Sequence, residues 1–206
     1  MPNLINLVEK EVSPKGLDKD ALPHNGKIKN YFFDKDYSNL KLLQNLPKQR
    51  AKHSLTLLYP GSGADILTPL LYLEELYTDL NEINCMLVDQ VNNLGLIKTI
   101  LDDVGISFQE EGNILKFYWK GILVTLEHVL ANIFQIDLPS FDIYFEKAFR
   151  IMKQNVHYFE ENIYHKLNMN GLLISDSGFQ HLPLEKLNVP SHLSGYDEMI
   201  IGIKKE

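Results

Sequence analysis

Short apolar runs alternate with amphipathic stretches from Ser54 to the end of the chain. Runs that are apolar throughout are typical of strands buried on both faces of a parallel sheet, and the amphipathic stretches between them predict covering helices. The expected strands lie, in chain order, at residues 55–59, 85–88, 122–126, 141–145, 172–175 and 199–203. The pattern therefore predicts an α/β fold with a doubly wound, mostly parallel sheet.

Three helices are expected between these strands, at residues 69–79, 91–104 and 147–167. Thr68 suits the N-cap of the first helix and Pro69 its first helical position, because a proline has no N–H to leave unpaired there. Gly105 ends the second helix. Apolar residues at helical spacing form a stripe along the third helix, which the turn 168–171 is expected to cap.

Residues 106–121 interrupt this alternation with an antiparallel excursion. Gly112-Asn113 and Lys120-Gly121 separate three β-rich runs, at 106–109, 114–119 and 122–127. Such turn residues between short β-rich runs are typical of hairpins. Only one run can be the next parallel strand, and we assign residues 122–126 to it because they lead on to the strand at 141–145.

Residues 1–50 precede the alternating pattern and predict an N-terminal helical extension to a main domain of residues 51–206. The first helix is expected from apolar residues at helical spacing, which are Leu4, Ile5, Leu7, Val8 and Val12. An irregular connection over 13–30 and a second helix over 37–46 follow. The apolar faces of both helices need a partner, so we expect the extension to cover a sheet edge or to form one wall of a crevice.

The ends of the first two strands carry the candidate chemistry. The first strand ends in Tyr59-Pro60-Gly61-Ser62-Gly63-Ala64-Asp65, and the second ends in Asp89. Ligands of open parallel sheets bind at the carboxyl ends of the strands. Glycines there allow a tight turn and close approach of a ligand, and a carboxylate can accept the hydroxyls of a ribose. The pair predicts a crevice for a nucleoside cofactor.

From residue 54 to 203 the chain resembles the class I S-adenosylmethionine-dependent methyltransferases. Residues 57–63 resemble the family's first motif and Asp89 its ribose-binding acidic position, while 141–144 and 167–174 resemble its fourth strand and the turn into its fifth. The resemblance implies S-adenosylmethionine as cofactor and methyl transfer to a small molecule or another, unidentified acceptor. It places Glu127 and His128 near the adenine. The cofactor-binding residues that it implies are Tyr59, Pro60, Gly61, Ser62, Gly63, Asp65, Asp89, Gln90, Glu127 and His128.

Two departures from the family pattern support a second hypothesis. Tyr59 stands where the family has an acidic residue, and Asp65 replaces its last glycine. The alternative is a catalytically silent methyltransferase-like domain that serves as a binding or assembly module. No Asn/Asp-Pro-Pro-aromatic tetrad follows the fourth strand, which argues against methylation of an exocyclic base nitrogen. No catalytic residue is predicted.

Plainer interpretations of the candidate residues remain open. The two glycines are compatible with a turn alone, and Asp89 with a cap of the following helix. Glu127 and His128 are equally compatible with a solvated strand end. His157, Glu161 and His165 are spaced four apart on the expected long helix, which we interpret as a solvated face rather than a metal site.

Composition narrows the class of partner. The formal charge of −7 argues against general binding to nucleic acid or to anionic membranes, both of which need a dominant positive field. The single cysteine, Cys85, cannot form an internal disulfide, and its apolar neighbours predict a buried thiol. No apolar run reaches the length of a membrane span, which is about 18 residues or more. We expect a cytoplasmic protein.

Overall fold

The structure, a computed structural model, describes residues 7–51, 54–193 and 198–205. Its helices are α1 (Asn25–Lys29), α2 (Asp34–Asn39), α3 (Leu67–Leu76), α4 (Leu94–Asp103), α5 (Arg150–Lys153) and α6 (Phe159–Lys166). Its strands are β1 (Gln49–Arg50), β2 (Leu55–Pro60), β3 (Tyr77–Thr78), β4 (Glu82–Asp89), β5 (Phe108–Glu111), β6 (Ile114–Trp119), β7 (Ile122–Leu130), β8 (Phe141–Glu146), β9 (Leu167–Ser175), β10 (Leu184–Lys186) and β11 (Ile200–Lys204). Leu40–Asn45 and Ser191–Leu193 form 3-10 helices.

The main sheet has nine strands in the order β10-β11-β9-β8-β2-β4-β7-β6-β5. The five central strands, β9 to β7 in this order, are mutually parallel. On one side β11 and β10 continue the sheet antiparallel, and on the other side β6 and β5 form the expected hairpin. The predicted doubly wound, mostly parallel fold is confirmed, and so is the assignment of the strand after Gly121 as the parallel one.

The strand order reverses at β2. The chain leaves β2 through α3 to β4 on one side, and after the hairpin it returns to β8 on the other side of β2. The connections that follow β2 and β8 therefore diverge, which opens a crevice at the carboxyl ends of these two strands. The loop after Pro60 and the segment after Glu146 lie at this point.

Side chains alternate between the two faces of the sheet along each strand, and each face is buried in its own core. Leu57, Tyr59 and Leu87 belong to a core that includes residues of α3 and α4. Leu58 and Val88 belong to a second core that includes residues of α6. Burial on both faces explains why these strands are continuously apolar. Cys85 is buried as predicted, and burial raises the pKa of its thiol to about 12.

Helix α3 begins at Leu67, two residues before the predicted start at Pro69. Pro69 is tolerated as the third helical residue because the N–H groups of a first turn have no intrahelical acceptor. The predicted cap, Thr68, is itself inside the helix. Ile66 takes the N-cap position, and the carboxylate of Asp65 before it accepts a hydrogen bond from the Thr68 N–H at 3.0 Å.

The single long helix predicted over 147–167 is wrong. The segment forms α5 and α6, and Tyr158 between them has a left-handed φ of 61°. Met152 of the expected apolar stripe is 62% exposed. Lys153 at the end of α5, directly before the break, forms an ion pair with buried Glu146. His157 falls in the break, so the even spacing of the two histidines on one helix face is lost.

Strand β9 begins at Leu167, where a helix cap and a turn were predicted. Asn170 has a φ of 61°, and the pairing of β8 with β9 shifts register between Phe141 and Ile143. A Cβ on Gly171 would lie 2.8 Å from the Asp142 carbonyl oxygen, so only glycine fits there. The Asn-Gly pair marks a β-bulge inside the strand rather than its start.

The described part of the N-terminal extension packs on the first core, with Ile28 and Leu43 fully buried. The first predicted helix is wrong over residues 7–12, which have no regular structure, with Val8 exposed to solvent. Leu4 and Ile5 lie outside the described residues. The second predicted helix, 37–46, is replaced by α2 and a 3-10 helix.

In the part of the chain that the structure describes, no helix combines the length and the apolar character required to cross a membrane.

We predict that a chain beginning at Ser54 is less stable than the full chain. It loses Ile28, Leu43 and Leu46, all buried, and uncovers the surface beneath them. Burial of one such side chain stabilises by about 1.5–3 kcal/mol, so the thermal midpoint should fall by roughly 10 °C or more. Calorimetry on both chains measures the difference. An unchanged midpoint would show that the extension contributes nothing to the core.

Candidate functional site

The loop between β2 and α3 turns through two left-handed glycines, Gly61 at φ 59° and Gly63 at φ 54°. The Gly61 N–H donates to the Val88 carbonyl at 2.8 Å, which ties the loop to β4. A Cβ on Gly61 would lie 2.6 Å from the Phe149 ring, whereas nothing lies within 4 Å of the Cβ position on Gly63. Packing therefore explains Gly61, and the loop is open to an approaching molecule at Gly63.

Asp89 joins this loop to the end of β4. One carboxylate oxygen accepts the Gly63 N–H at 2.9 Å, and the other accepts the Val91 N–H at 3.0 Å. The two halves of the predicted ribose site are therefore in contact. The same contacts give Asp89 a structural task in holding the loops. Each oxygen keeps a second lone pair, so a further donor can still bind.

Tyr59 lies inside the first core rather than on the crevice surface. Its hydroxyl donates to Asp65 at 3.2 Å, and its ring meets the Phe145 ring edge-on. Burial, followed by the nearby Asp65 charge, raises the pKa of Tyr59 well above its usual value, so the phenol stays protonated. With Tyr59 on one oxygen and the Thr68 N–H on the other, Asp65 is held at the start of α3.

Glu127 and His128 lie in β7 beside the end of β4, paired in register with Met86 and Leu87. The buried His128 ring nitrogen Nε2 accepts the Asn93 N–H at 3.4 Å, next to the start of α4. Burial lowers the pKa of His128. The Glu127 carboxylate lies 3.4 Å from the Asn113 amide nitrogen. Both side chains thus have protein partners, and their contact with an adenine stays a prediction.

A cleft of about 330 Å³ lies beside the glycine loop, and we call it the loop-side cleft. Ser62 and Asp65 of the loop, the first residues of α3 and Lys147 after β8 contribute to its lining. Tyr31 and Phe32 of the N-terminal extension also line it, so the extension forms part of one wall. Its described lining includes Ser62 and Asp65 from the predicted set, while the other eight predicted residues lie outside it.

A second cleft, of about 390 Å³, lies at the ends of β8 and β9, and we call it the strand-end cleft. Phe32, Thr68 and Lys147 line both clefts, which are therefore adjacent. Asp176, which is not among the predicted site residues, comes directly after β9 and lines the strand-end cleft. Its position after a buried strand was the available signal.

Glu146 at the end of β8 forms a buried ion pair with Lys153, and the two residues are only 1% and 5% exposed. Glu146 also accepts hydrogen bonds from the Tyr144 hydroxyl at 2.6 Å and from the Ser175 hydroxyl. Burial raises the pKa of Glu146, against the opposing effect of the Lys153 charge. These contacts hold the start of the segment after β8. The Glu146 carboxylate itself is held by hydrogen bonds from side chains of the protein.

We predict that His128 makes stability fall as the pH is lowered. Its pKa is below the ordinary value of 6.5, so the unfolded chain binds the proton more readily than the folded one. The stabilising contribution is present above pH 6.5 and is lost as the pH falls toward the lowered pKa of the folded state. Urea unfolding at pH 7.5 and 5.5 measures the effect.

The His128→Gln variant, which keeps an acceptor for the Asn93 N–H, should lose less free energy of unfolding over this pH range than the wild type. His192→Gln, at an exposed position, is the control and should behave like the wild type. Equal losses in the His128 variant and the wild type would contradict the prediction.

Neither the protein-family models nor the curated proteins give a match to this chain. Among solved structures, it is similar to YcgJ from Bacillus subtilis at 17% identity and a TM-score of 0.42, covering 68% of this chain and 50% of that one. It is also similar to a SAM-dependent methyltransferase from Thiobacillus denitrificans, solved with S-adenosyl-L-homocysteine, at 12% identity and a TM-score of 0.41, covering 73% and 51%.

The chain thus spans about half the length of these solved structures. The identities and scores are too low for any residue or ligand to be carried across from them. The strand order of the chain's own sheet shows a doubly wound, mostly parallel α/β fold.

Proposed function

We propose that the chain transfers a methyl group from S-adenosylmethionine to a small-molecule acceptor, in the crevice between β2 and β8. The observation that carries this proposal is the Gly63–Asp89 contact at the point where the strand order reverses. A glycine loop and a strand-end carboxylate at such a point are the elements that bind nucleoside cofactors in doubly wound sheets. The sequence resemblance to class I methyltransferases selects S-adenosylmethionine among such cofactors.

The residues present fit the adenosine half of the cofactor. The open side of Gly63 admits a ligand against the backbone, and the free lone pairs of Asp89 suit ribose hydroxyls. Exposed Gln90 follows directly, and Glu127 and His128 are the proposed neighbours of the adenine. Ser62 and Asp65 face the loop-side cleft, where the methionine half would be held.

The bound cofactor supplies an electrophilic methyl group on a sulfonium. What this chain's own residues contribute is alignment and exclusion of water. The adjacent loop-side and strand-end clefts give two binding volumes side by side, as a cofactor and an acceptor require. Residues of the N-terminal extension line both clefts and would shield the crevice from solvent.

A catalytically silent binding or assembly module is the second candidate, and Phe149 favours it. The Phe149 ring packs directly on Gly61 and lies among the neighbouring Phe134 and Phe159 rings. This ring must move if a ligand is to contact the loop at Gly61. A domain that had lost its cofactor would tolerate such packing. Cofactor binding therefore separates the two candidates.

We predict that S-adenosylhomocysteine binds the chain and raises its thermal midpoint, since a ligand that binds only the folded state stabilises it. Asp89→Ala should weaken this binding. Loss of a hydrogen bond to a charged group costs about 1.5–3 kcal/mol, which is roughly a 10- to 150-fold lower affinity. Calorimetric titration of the folded variant measures it.

Asp142→Ala is the matched control, because Asp142 also holds local structure but lies at the opposite end of the sheet, at the start of β8. Its carboxylate accepts the Thr56 N–H at 2.8 Å and an Asn168 amide hydrogen bond at 2.8 Å. Both variants should lose stability, and only Asp89→Ala should lose affinity. Equal affinity in the two variants would remove Asp89 from the site, and no binding by the wild type would reject methyl transfer.

A further inference from the structure

The strand-end cleft has a predominantly aromatic and apolar wall. Phe32 of the extension, Tyr72 of α3 and Phe145 of β8 line it, and the Tyr72 and Phe145 rings meet edge-on with centroids 5.3 Å apart. At about 390 Å³, the cleft has the size of a small-molecule site. An aromatic wall favours a flat apolar skeleton, and the negative face of a ring also attracts a cation.

Asp176 is the carboxylate of this cleft that has a buried oxygen without a donor among the described residues. One carboxylate oxygen accepts the Ala148 N–H at 2.7 Å. The other oxygen is buried, and none of the described residues donates a hydrogen bond to it. A buried carboxylate oxygen without a donor is unfavourable, because a charged group has lost its water without a replacement. A ligand with an N–H donor would supply the missing hydrogen bond.

The charges around the cleft have a negative excess. Asp36 and Asp176 line it, and the charge of Glu146 is matched by Lys153. Lys147 is the ammonium of the described lining, and its Nζ lies 5.8 Å from the centre of the Phe32 ring, at the boundary with the loop-side cleft. Burial, followed by the negative charges of Asp176, Asp65 and Asp36, raises the pKa of Tyr72.

We propose that the strand-end cleft binds an organic amine in its ammonium form, with the nitrogen at Asp176 and an aromatic or apolar skeleton against Phe32 and Phe145. Charge-assisted hydrogen bonding and cation–π attraction both favour this class of ligand. A carboxylate or phosphate ligand would be repelled by Asp36 and Asp176. The cleft thereby selects its ligand by charge as well as by shape.

If the proposed function holds, this amine is the methyl acceptor. The acceptor role rests on the proposed function. The ammonium nitrogen then gives one proton to the Asp176 carboxylate. Its freed lone pair forms the N–CH₃ bond while the S–CH₃ bond of the donor breaks. The positive charge passes from sulfur to the methylated nitrogen, and the donor leaves as a neutral thioether. The amine site itself requires no cofactor and can be measured alone.

Three probes with nearly the same skeleton test the site: phenethylamine, phenethyl alcohol and 3-phenylpropionate. They carry a cationic, a neutral and an anionic group. Titrations followed by NMR on the full chain should show phenethylamine binding at least 10-fold more tightly than the other two. Equal or tighter binding of the alcohol or the carboxylate would overturn the proposal.

Variants locate the binding. Asp176→Asn should weaken phenethylamine binding by about 10-fold or more, which corresponds to about 1.4 kcal/mol. Asp36 is exposed, so Asp36→Asn should not affect folding. This variant should weaken phenethylamine binding to a lesser extent, and it decides the outcome if the Asp176 variant does not fold. Asp137→Asn is the control, since the Asp137 side chain is 93% exposed and pairs with Lys166. Unchanged affinity in the folded Asp176 or Asp36 variants would contradict the proposal.

A separate titration with S-adenosylhomocysteine distinguishes this inference from the proposed function. If the nucleoside binds and phenethylamine does not, the amine site is wrong and the methyltransferase proposal stands. If phenethylamine binds through Asp176 and the nucleoside does not, the amine site stands and methyl transfer is rejected.

Discussion

The parallel pairing of β2 with β4 on one side and β8 on the other is the constraint on which the rest of the structure depends. Because the order of strands reverses there, the segments that follow β2 and β8 run away from each other at the edge of the sheet. The crevice between them follows from the connectivity. The glycine loop, both clefts and the proposed ligand sites all lie at this reversal or directly beside it.

Carboxylates at the strand ends hold this region together. Asp65 after β2, Asp89 at the end of β4 and Asp176 after β9 each accept at least one backbone N–H, from the first turn of α3, from the glycine loop and from the segment after β8, respectively. Loops at a sheet edge contain many backbone donors, and a charged acceptor binds them more strongly than a neutral one. In the proposed sites the same carboxylates also bind ligands, so that structural and binding tasks would fall on the same side chains. Stability and affinity therefore have to be measured together at each of them.

The parts of the fold that depend on local patterns could be predicted from the sequence. Continuous apolar runs located the central strands, and turn residues located the hairpin between Gly112 and Gly121. The predictions failed where the chain departs from its local pattern. The expected long helix breaks beside the buried ion pair of Glu146 with Lys153, and a bulge at Asn170 extends β9 through an expected turn.

The same distinction applies to the candidate site. The contact of Gly63 with Asp89 could be predicted, because both follow buried strands and parallel strands end at the same edge. The clefts could not be predicted. Phe32 reaches them from an extension whose path is determined by packing on the core, and Asp176 matters because Ala148 comes to it from another loop. The spacing of residues in the sequence does not predict that Phe32 lines the clefts or that Ala148 contacts Asp176.

The most direct test of the central claim is an NMR titration of the full chain, labelled with ¹⁵N at its 12 glycines, with S-adenosylhomocysteine. If the crevice at the strand reversal holds the nucleoside, the Gly63 amide signal should move most. Signals of Gly121, before the start of β7, and of Gly171, beside Asp142 at the start of β8, should stay in place. The account would be contradicted by a titration that leaves Gly63 unmoved, or by one in which the largest shifts occur at glycines away from the β2 loop.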